Sequence, residues 1–553
     1  MRGRGSLRRC PGSVSTRRRP HPAVLLSAVV AFVGAVVAEL VPWVGGDLVA
    51  QRWWQSWAAS GGGQPVDLGW YAGSPAVSYS LAAPWVLAAV GPAVAGVAST
   101  VVGSGATTAL LVRARALRPH TAGVLAAAMF AANQLSGRTT FGLGAAMGSL
   151  ALLAAGSRAR ASRRRPLAGV LAVSSGALSP VAAVLLALAA AAWWLGAQPA
   201  SPAGSSRSRR PVGARGRGLV GPPVGRAPDV VVVVVGAVLP LVVMRLLGGA
   251  SGLTPSSAHQ MVAAIAATVL VLLLVGADQP VLRMGAALTG GLLVATWLLA
   301  DPIGSNATRI VLLFAVPVLV ATARRDRLVV GLAAVLVTWL LPPLVTRDLV
   351  ARDPVATERV SAPLLAELDR LGPVGRVEIV PLADHSDAAL AQHVPIARGW
   401  TRQLDVVRNP LFYDGSLDAG SYLTWLRARG VSYVASSTQR PDWAGRAEAA
   451  LVRSGVPGLT EVWSDDTWSL YEVDGPGVVL AGPGRVTGSD RRTLTVEVSG
   501  AGTVELALFW NPRLTVVGQG CLAAGEADGT VLLRSTGPGT ATITSAWQPA
   551  GHC

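Results

Sequence analysis

Lysine is missing from this chain altogether, so each of its 47 basic residues is an arginine. Acids are scarce where those arginines are dense. Residues 1–346 hold seven Asp and Glu against 29 arginines, a net of +22, whereas 347–553 hold 23 acids against 18 arginines, a net of −5. Only 14% of the chain is charged, which argues against an ordinary soluble protein, where the figure is roughly a quarter. Six histidines and three cysteines lack the paired spacing of metal ligands, which excludes a structural zinc site. No P-loop, dinucleotide fingerprint or nucleophile motif is present, so the common nucleotide-handling and covalent-catalysis classes are excluded as well. The all-arginine usage, with its Ala, Gly, Pro and Val bias, marks a GC-rich genome and weakens any argument from composition-based propensity.

What remains is apolar: 51% of the residues are hydrophobic and the mean hydropathy is +0.48. The arginines of the first 346 residues sit in short runs between apolar stretches. That is the pattern of membrane loops facing the cytoplasm and not of a nucleic-acid surface. Residues 1–22 form a basic arm with seven arginines and no acid. The apolar run Ala23–Val44 follows with no small-residue cleavage site, which predicts an uncleaved first span. A Trp-rich polar stretch from Gly45 leads to apolar sequence that Gly91-Pro92 should break before a second span. Further spans are predicted at about 121–133, 140–156, 167–178, 181–196, 229–248, 261–276, 281–300, 309–323 and 328–346. Residues 197–227, rich in Pro, Gly, Ser and Arg, read as a disordered cytoplasmic linker.

The expected fold is therefore a mostly α-helical polytopic domain of about 11 transmembrane helices over 23–346. Its N-terminus lies inside and the tail outside the plasma membrane. On this topology 25 of the 29 arginines fall inside, and only Arg52, Arg138, Arg245 and Arg309 fall outside. The tail divides into an α/β region, 347–475, and a small β-sandwich, 476–553, whose short strands alternate and are split by glycine turns. Cys521 and Cys553, both in the exported part, are a disulfide candidate, two free thiols being the alternative.

Of the seven acids, Glu39, Asp47, Asp67 and Asp301 fall on the outer side, where a carboxylate near the bilayer is costly unless paired or functional. The four outer arginines complement them. Guanidinium binds phosphate oxygens bidentately, so acid and arginines together suffice for a base and a leaving-group clamp. Plain helix-to-helix ion pairing is the structural alternative.

The segments Gly46-Asp47, Trp53-Trp54 with Trp57, "WYAGSPAVSYSLAAPWVLAAVGP", "LSGRTTFGLGAAMGSLALL" and "PIGSNATRIVLLFAVPVL" resemble GT-C membrane glycosyltransferases, as does "HVPIARGWTRQLDVVRNPLFYDG" in the tail. The likeness is loose and runs over most of the chain. It implies a transferase that uses a polyprenyl-phosphate-linked sugar donor, with a cell-envelope glycan, lipid or protein as acceptor. By that resemblance Asp47 matches the acid of the first outer loop that serves as catalytic base or metal ligand, with Asp67 in reserve. A divalent cation is the one cofactor to look for. One departure is that Ser74-Pro75 stands where related loops carry histidines. Arg52, Arg138, Arg245 and Arg309 are candidates for the donor phosphate. Trp400, Tyr413 and Asp414 are candidates for sugar contacts, together with Asp405, Arg408 and Phe412, unless that segment merely packs the tail onto the membrane domain. A transporter or flippase and a non-catalytic envelope scaffold are the competing classes.

Overall fold

The structure is a computed structural model that describes residues 20–60, 63–78, 80–198, 227–249, 252–344, 349–351, 354–372, 375–527 and 529–553. Most of the basic arm with Cys10, the linker from 199 to 226 and the Gly61-Gly62 pair lie outside the described residues.

Thirteen helices of the described residues precede the tail. They are α1 (Pro22–Leu40), α2 (Leu48–Ala59), α3 (Ala83–Val90), α4 (Pro92–Arg113), α5 (Pro119–Leu135), α6 (Thr139–Ala155), α7 (Ala161–Leu178), α8 (Pro180–Gly196), α9 (Ala227–Leu246), α10 (Ala258–Leu274), α11 (Pro280–Leu298), α12 (Arg309–Thr322) and α13 (Arg327–Leu340). Proline opens several of them, where its missing N–H costs nothing. The expected break falls at Gly91, whose φ of +80° ends α3 before Pro92 starts α4.

Five segments, α1, α4, α9, α11 and Gly304–Thr322, are long and apolar enough to cross a membrane, and α6, α8, α10 and α13 are shorter apolar helices. The outward face of α1 carries Leu25, Val29, Phe32, Val33 and Val37, all exposed, which water would penalise and lipid would not. Inward faces are built from small residues that let helices approach. A Cβ on Gly103 would strike the Phe130 ring at 2.2 Å, and one on Gly144 would strike Ala182 at 2.7 Å. Buried hydroxyls and amides bridge helices, as where Thr100 Oγ1 donates to Gln134 Oε1 at 2.8 Å and Gln134 Nε2 to Glu39 Oε1 at 2.8 Å. Asp229, in the first turn of α9, is buried between Arg164 (2.7 Å) and Arg165 (2.8 Å).

The tail begins as α/β. Strands Val377–Ile379, Tyr433–Ser437, Trp468–Val473 and Leu459–Ser464 form one sheet in that spatial order; the first pair is parallel and the others antiparallel. A sandwich of two four-stranded antiparallel sheets follows, one centred on Leu494–Val498 and Gly539–Ser545, the other on Val531–Ser535 and Gly502–Leu506. The period-2 burial of Leu494, Val496 and Val498 against Val531, Leu533 and Ile543 closes its core.

Cys521 and Cys553 are bonded, with Cα atoms 5.1 Å apart. The bridge clamps residues 551–553 along the edge strand Cys521–Ala524, where Leu522 N donates to Gly551 O and Cys553 N to Leu522 O. Closing a loop with a sequence separation of 32 stabilises a domain by about 3–4 kcal/mol in the chain-entropy model. Cys521→Ser is therefore expected to lower the melting temperature of the sandwich by several degrees, as reductant does for the native chain. Equal melting curves with and without reductant would refute this.

Candidate active site

The loop after α1 is shaped by how closely it approaches the end of α5. Strand Trp43–Gly45 pairs antiparallel with Leu349–Ala351, the segment that returns from α13. A Cβ on Gly45 would lie 1.9 Å from the Ser136 carbonyl carbon, and one on Gly137 (φ +75°) would lie 2.3 Å from Gly45 O, so both positions require glycine. Gln51, 2% exposed, then pins α2 to α6: its Nε2 donates to Gly137 O (2.5 Å) and Asp47 O (2.9 Å), and its Oε1 accepts from Thr140 N (3.1 Å). The result brings the start of α2 against the start of α6.

Asp47 stands at the N-cap position of α2 without capping it. Its Oδ2 instead meets Arg309 Nη2 at 2.8 Å and Arg138 Nε at 3.3 Å, while 44% of the side chain stays open to a cavity. Burial works against its charge, but Arg309 and then Arg138 outweigh it and hold the carboxyl below the usual carboxylate range. The cavity has a volume of about 1020 Å³ and is walled by the N-terminal ends of α6, α8, α10 and α12 and the C-terminal end of α9, together with tail residues. Arg245, in the last turn of α9, also lines it, with no side-chain partner among the described residues.

The tail forms the roof. Trp400 and His385 lie edge to face at 4.1 Å, and His385 adopts a left-handed φ of +59° that is rare outside glycine. The buried Nδ1 of His385 has no hydrogen-bond partner among the described residues, and burial, outweighing the nearby Asp442 charge, pushes the ring below its ordinary value. Arg402, Arg440, Asp442, Trp443 and Arg446 complete the wall, and Arg402 Nη2 holds Asp442 Oδ1 at 2.9 Å. Six arginines therefore face two carboxylates across one cavity. Such a lining is made for an anion. Both carboxylates serve arginines, and among the described residues no group of three or more His, Cys, Asp or Glu is placed to hold a metal ion.

A second cavity, about 1050 Å³ and mainly apolar, lies beneath the first between α4, α6, α8, α10, α11 and α12. The two meet on shared helices. Thr140, Val181 and Arg309 line the polar cavity, while their chain neighbours Phe141, Ala182 and Ile310 line the apolar one. The Arg309 guanidinium lies 5.4 Å from the centre of the Phe141 ring at that junction.

No family model matches the chain, and no curated protein matches it. Solved structures similar to it include those of a mycobacterial arabinofuranosyltransferase. Two cryo-EM classes of a point mutant of that protein, AftD, have TM-scores of 0.44 at 14% identity, covering 95% of this chain and 60% and 59% of theirs. The unmutated AftD has a TM-score of 0.42 at 15% identity, covering 95% of this chain and 57% of its own. The chain thus spans about three fifths of the length of the structures it matches.

Of the sequence candidates, Asp47, Arg138, Arg245, Arg309 and Trp400 converge on the polar cavity. The others do not. Asp67 is fully buried elsewhere and accepts from Trp53 Nε1 (2.8 Å), Gly69 N (2.9 Å) and Arg491 Nε (3.0 Å), tying the first loop to the sandwich. Arg52 lies on the exposed face of α2, outside the lining. Tyr413 accepts from Arg402 Nη1 (2.9 Å) and bonds Asp405, so it positions Arg402 from behind the wall. Asp414 closes an exposed turn, accepting from Ser416 N at 2.9 Å. Arg408 donates to Tyr71 O and Gly73 O, and Trp53 stacks on Trp70 at 4.3 Å inside the tail's own core. The Trp-rich loop and most of residues 393–415 are thus the joint between membrane helices and tail. His385 reads in sequence only as a metal ligand without partners, and Arg402, Arg440, Asp442, Trp443 and Arg446 are not singled out there. The signal that could have found the last four is the run "QRPDWAGR" (439–446), polar and aromatic in a loop.

Proposed function

We propose that this protein is an inverting glycosyltransferase that moves a sugar from a polyprenyl-phosphate carrier to a cell-envelope acceptor at the outer face of the plasma membrane. The observation that carries this reading is the junction of the two cavities. An arginine-lined chamber and an apolar one border the same helices, their linings passing from one residue to the next at Thr140–Phe141, Val181–Ala182 and Arg309–Ile310, which suits a ligand with an anionic head and a long hydrocarbon tail. Eleven crossings, α1 and α4–α13, place the basic loops inside and the tail outside, as the arginine distribution requires.

In this reading Arg138, Arg245 and Arg309 take the phosphate. As they turn to it, Asp47 loses its counter-charges and gains an anionic neighbour, so its proton affinity climbs: the donor's arrival makes the base. The acceptor hydroxyl gives its proton to Asp47 and its oxygen bonds the anomeric carbon. The bond from that carbon to the phosphate oxygen breaks with inversion. The leaving polyprenyl phosphate gains one negative charge, which the guanidiniums stabilise.

Native mass spectrometry of the full chain in detergent tests the donor half. It should retain a long-chain polyprenyl phosphate, and Arg138→Gln with Arg309→Gln should weaken retention roughly 10- to 100-fold, the worth of one or two charge-assisted bonds. Equal retention of uncharged polyprenol would overturn the reading. Lipid flipping is the second reading, favoured by the apolar cavity reaching Arg113 and Arg324 at its far end. It predicts carrier movement between leaflets without release of sugar.

A further inference from the structure

The roof of the polar cavity holds more positive charge than the donor phosphate needs. Arg440 and Arg446 line it with exposed side chains and have no side-chain partner among the described residues. Arg446 opens the helix Arg446–Ser454, where the macrodipole favours an acid and disfavours a cation. An unpaired arginine placed there, beside a second, adds its field to that of the helix end. Between them stands Trp443, half open at 52% exposure yet fixed in place. The Arg402 guanidinium lies over its ring at 4.8 Å, Tyr413 meets it at 71°, and Asp442 before it accepts from both Arg402 and Ala444 N. A rigid indole offers the C–H face of a sugar ring a platform. Two free guanidiniums beside it offer an anionic substituent a bidentate partner.

We infer that residues 440–446 form a second subsite, which binds a saccharide carrying a carboxylate or phosphate group. Under the transferase reading this is the acceptor, so the acceptor is an anionic glycan; the subsite itself stands without that reading. The donor phosphate is met by Arg138, Arg245 and Arg309 on the helices, while this subsite faces them from the tail across the same chamber. Two anionic ligands are thereby held apart on opposite walls, each with its own arginines.

Thermophoresis with the full chain in detergent micelles tests the subsite, using a labelled oligogalacturonide, its neutral methyl ester and a phosphorylated hexose oligomer. One or both anionic probes should bind, and the one that binds identifies the substituent. The methyl ester should bind about tenfold more weakly, a difference of about 1.4 kcal/mol. The double variant Arg440→Gln, Arg446→Gln should erase that preference, and Trp443→Ala should weaken all probes that bind. Because the two arginines hold nothing else in the fold, the double variant should keep its melting temperature and its retention of polyprenyl phosphate. Equal binding of charged and neutral probes, or an unchanged preference in the double variant, would overturn the subsite. Loss of polyprenyl phosphate retention in the wild type would instead strike the donor reading and leave the subsite intact.

Discussion

Asp47→Asn is expected to slow sugar transfer by roughly 10²–10⁴-fold, the usual contribution of a positioned general base. The substitution keeps size and most hydrogen-bonding capacity, and the Asp47 side chain is largely open to the cavity, so the fold should be unaffected. Release of polyprenyl phosphate from a polyprenyl-phosphate-linked sugar reports the rate. The pH profile adds a second check. In the free protein Arg309 and Arg138 hold the Asp47 carboxyl low, so the acid limb of kcat/KM should lie below the ordinary carboxylate range. With the donor phosphate occupying those arginines, the acid limb of kcat should move to higher pH. Wild-type rates in the Asn variant would remove Asp47 from the mechanism. Coincident limbs would remove the idea that the donor creates the base.

The largest expected loss of stability is at Arg398. Its guanidinium, 2% exposed, meets Asp405 Oδ2 at 2.9 Å, Glu448 Oε2 at 2.9 Å and Glu378 Oε1 at 3.9 Å, and lies 3.8 Å from the centre of the Phe412 ring. Tyr422 donates to Glu448, and Asn409 to Asp405, so the polar atoms around the cation are held from several helices. Burial and then Glu448 push the Glu378 carboxyl well up, which leaves the remaining negative charge to balance one arginine. Arg398→Leu strands these carboxyls in the core and should cost about 3–5 kcal/mol, or roughly 10 °C of melting temperature for a region of this size. The sign with pH follows from linkage. Without the arginine the folded-state carboxyl pKa values rise, so the penalty is full at high pH and shrinks as acidification protonates the orphaned groups. Melting curves of variant and wild type should therefore converge toward pH 5, and a gap that widens on acidification would contradict this assignment. Because Arg402 is held through Tyr413 and Asp405, and Asp405 belongs to this cluster, its loss should also disorder the cavity roof.

Much of this protein was legible without coordinates because bilayer physics is local. Apolar runs bounded by arginines yield helix positions to within a few residues, as at α5, α6 and α8 through α12, though α7 starts earlier, at Ala161 within the arginine run, and Gly91-Pro92 marks its own break. Alternation between glycine turns foretold the sandwich strands, and two cysteines in an exported region foretold their bond. Acids are so few in the first 346 residues that each one can be weighed, but it is the GT-C resemblance that points to Asp47 among them.

Only the tertiary structure decided which charges share a space. Asp47 and Asp67 look alike in sequence, both in the stretch between the first two spans. Packing sends one into a chamber between arginines 91 and 262 positions away, and seals the other against Trp53 and Arg491. The tryptophans at 53, 54, 57 and 70 read as part of a polar loop region but are core, because the tail folds around them. Conversely, Arg440, Trp443 and Arg446 carry no periodic pattern and reach the site only because the parallel pairing of Val377–Ile379 with Tyr433–Ser437 delivers their loop above the membrane helices. Periodicity reports which face of an element is buried. It cannot report which distant loops close over the same cavity, since that depends on how whole layers stack.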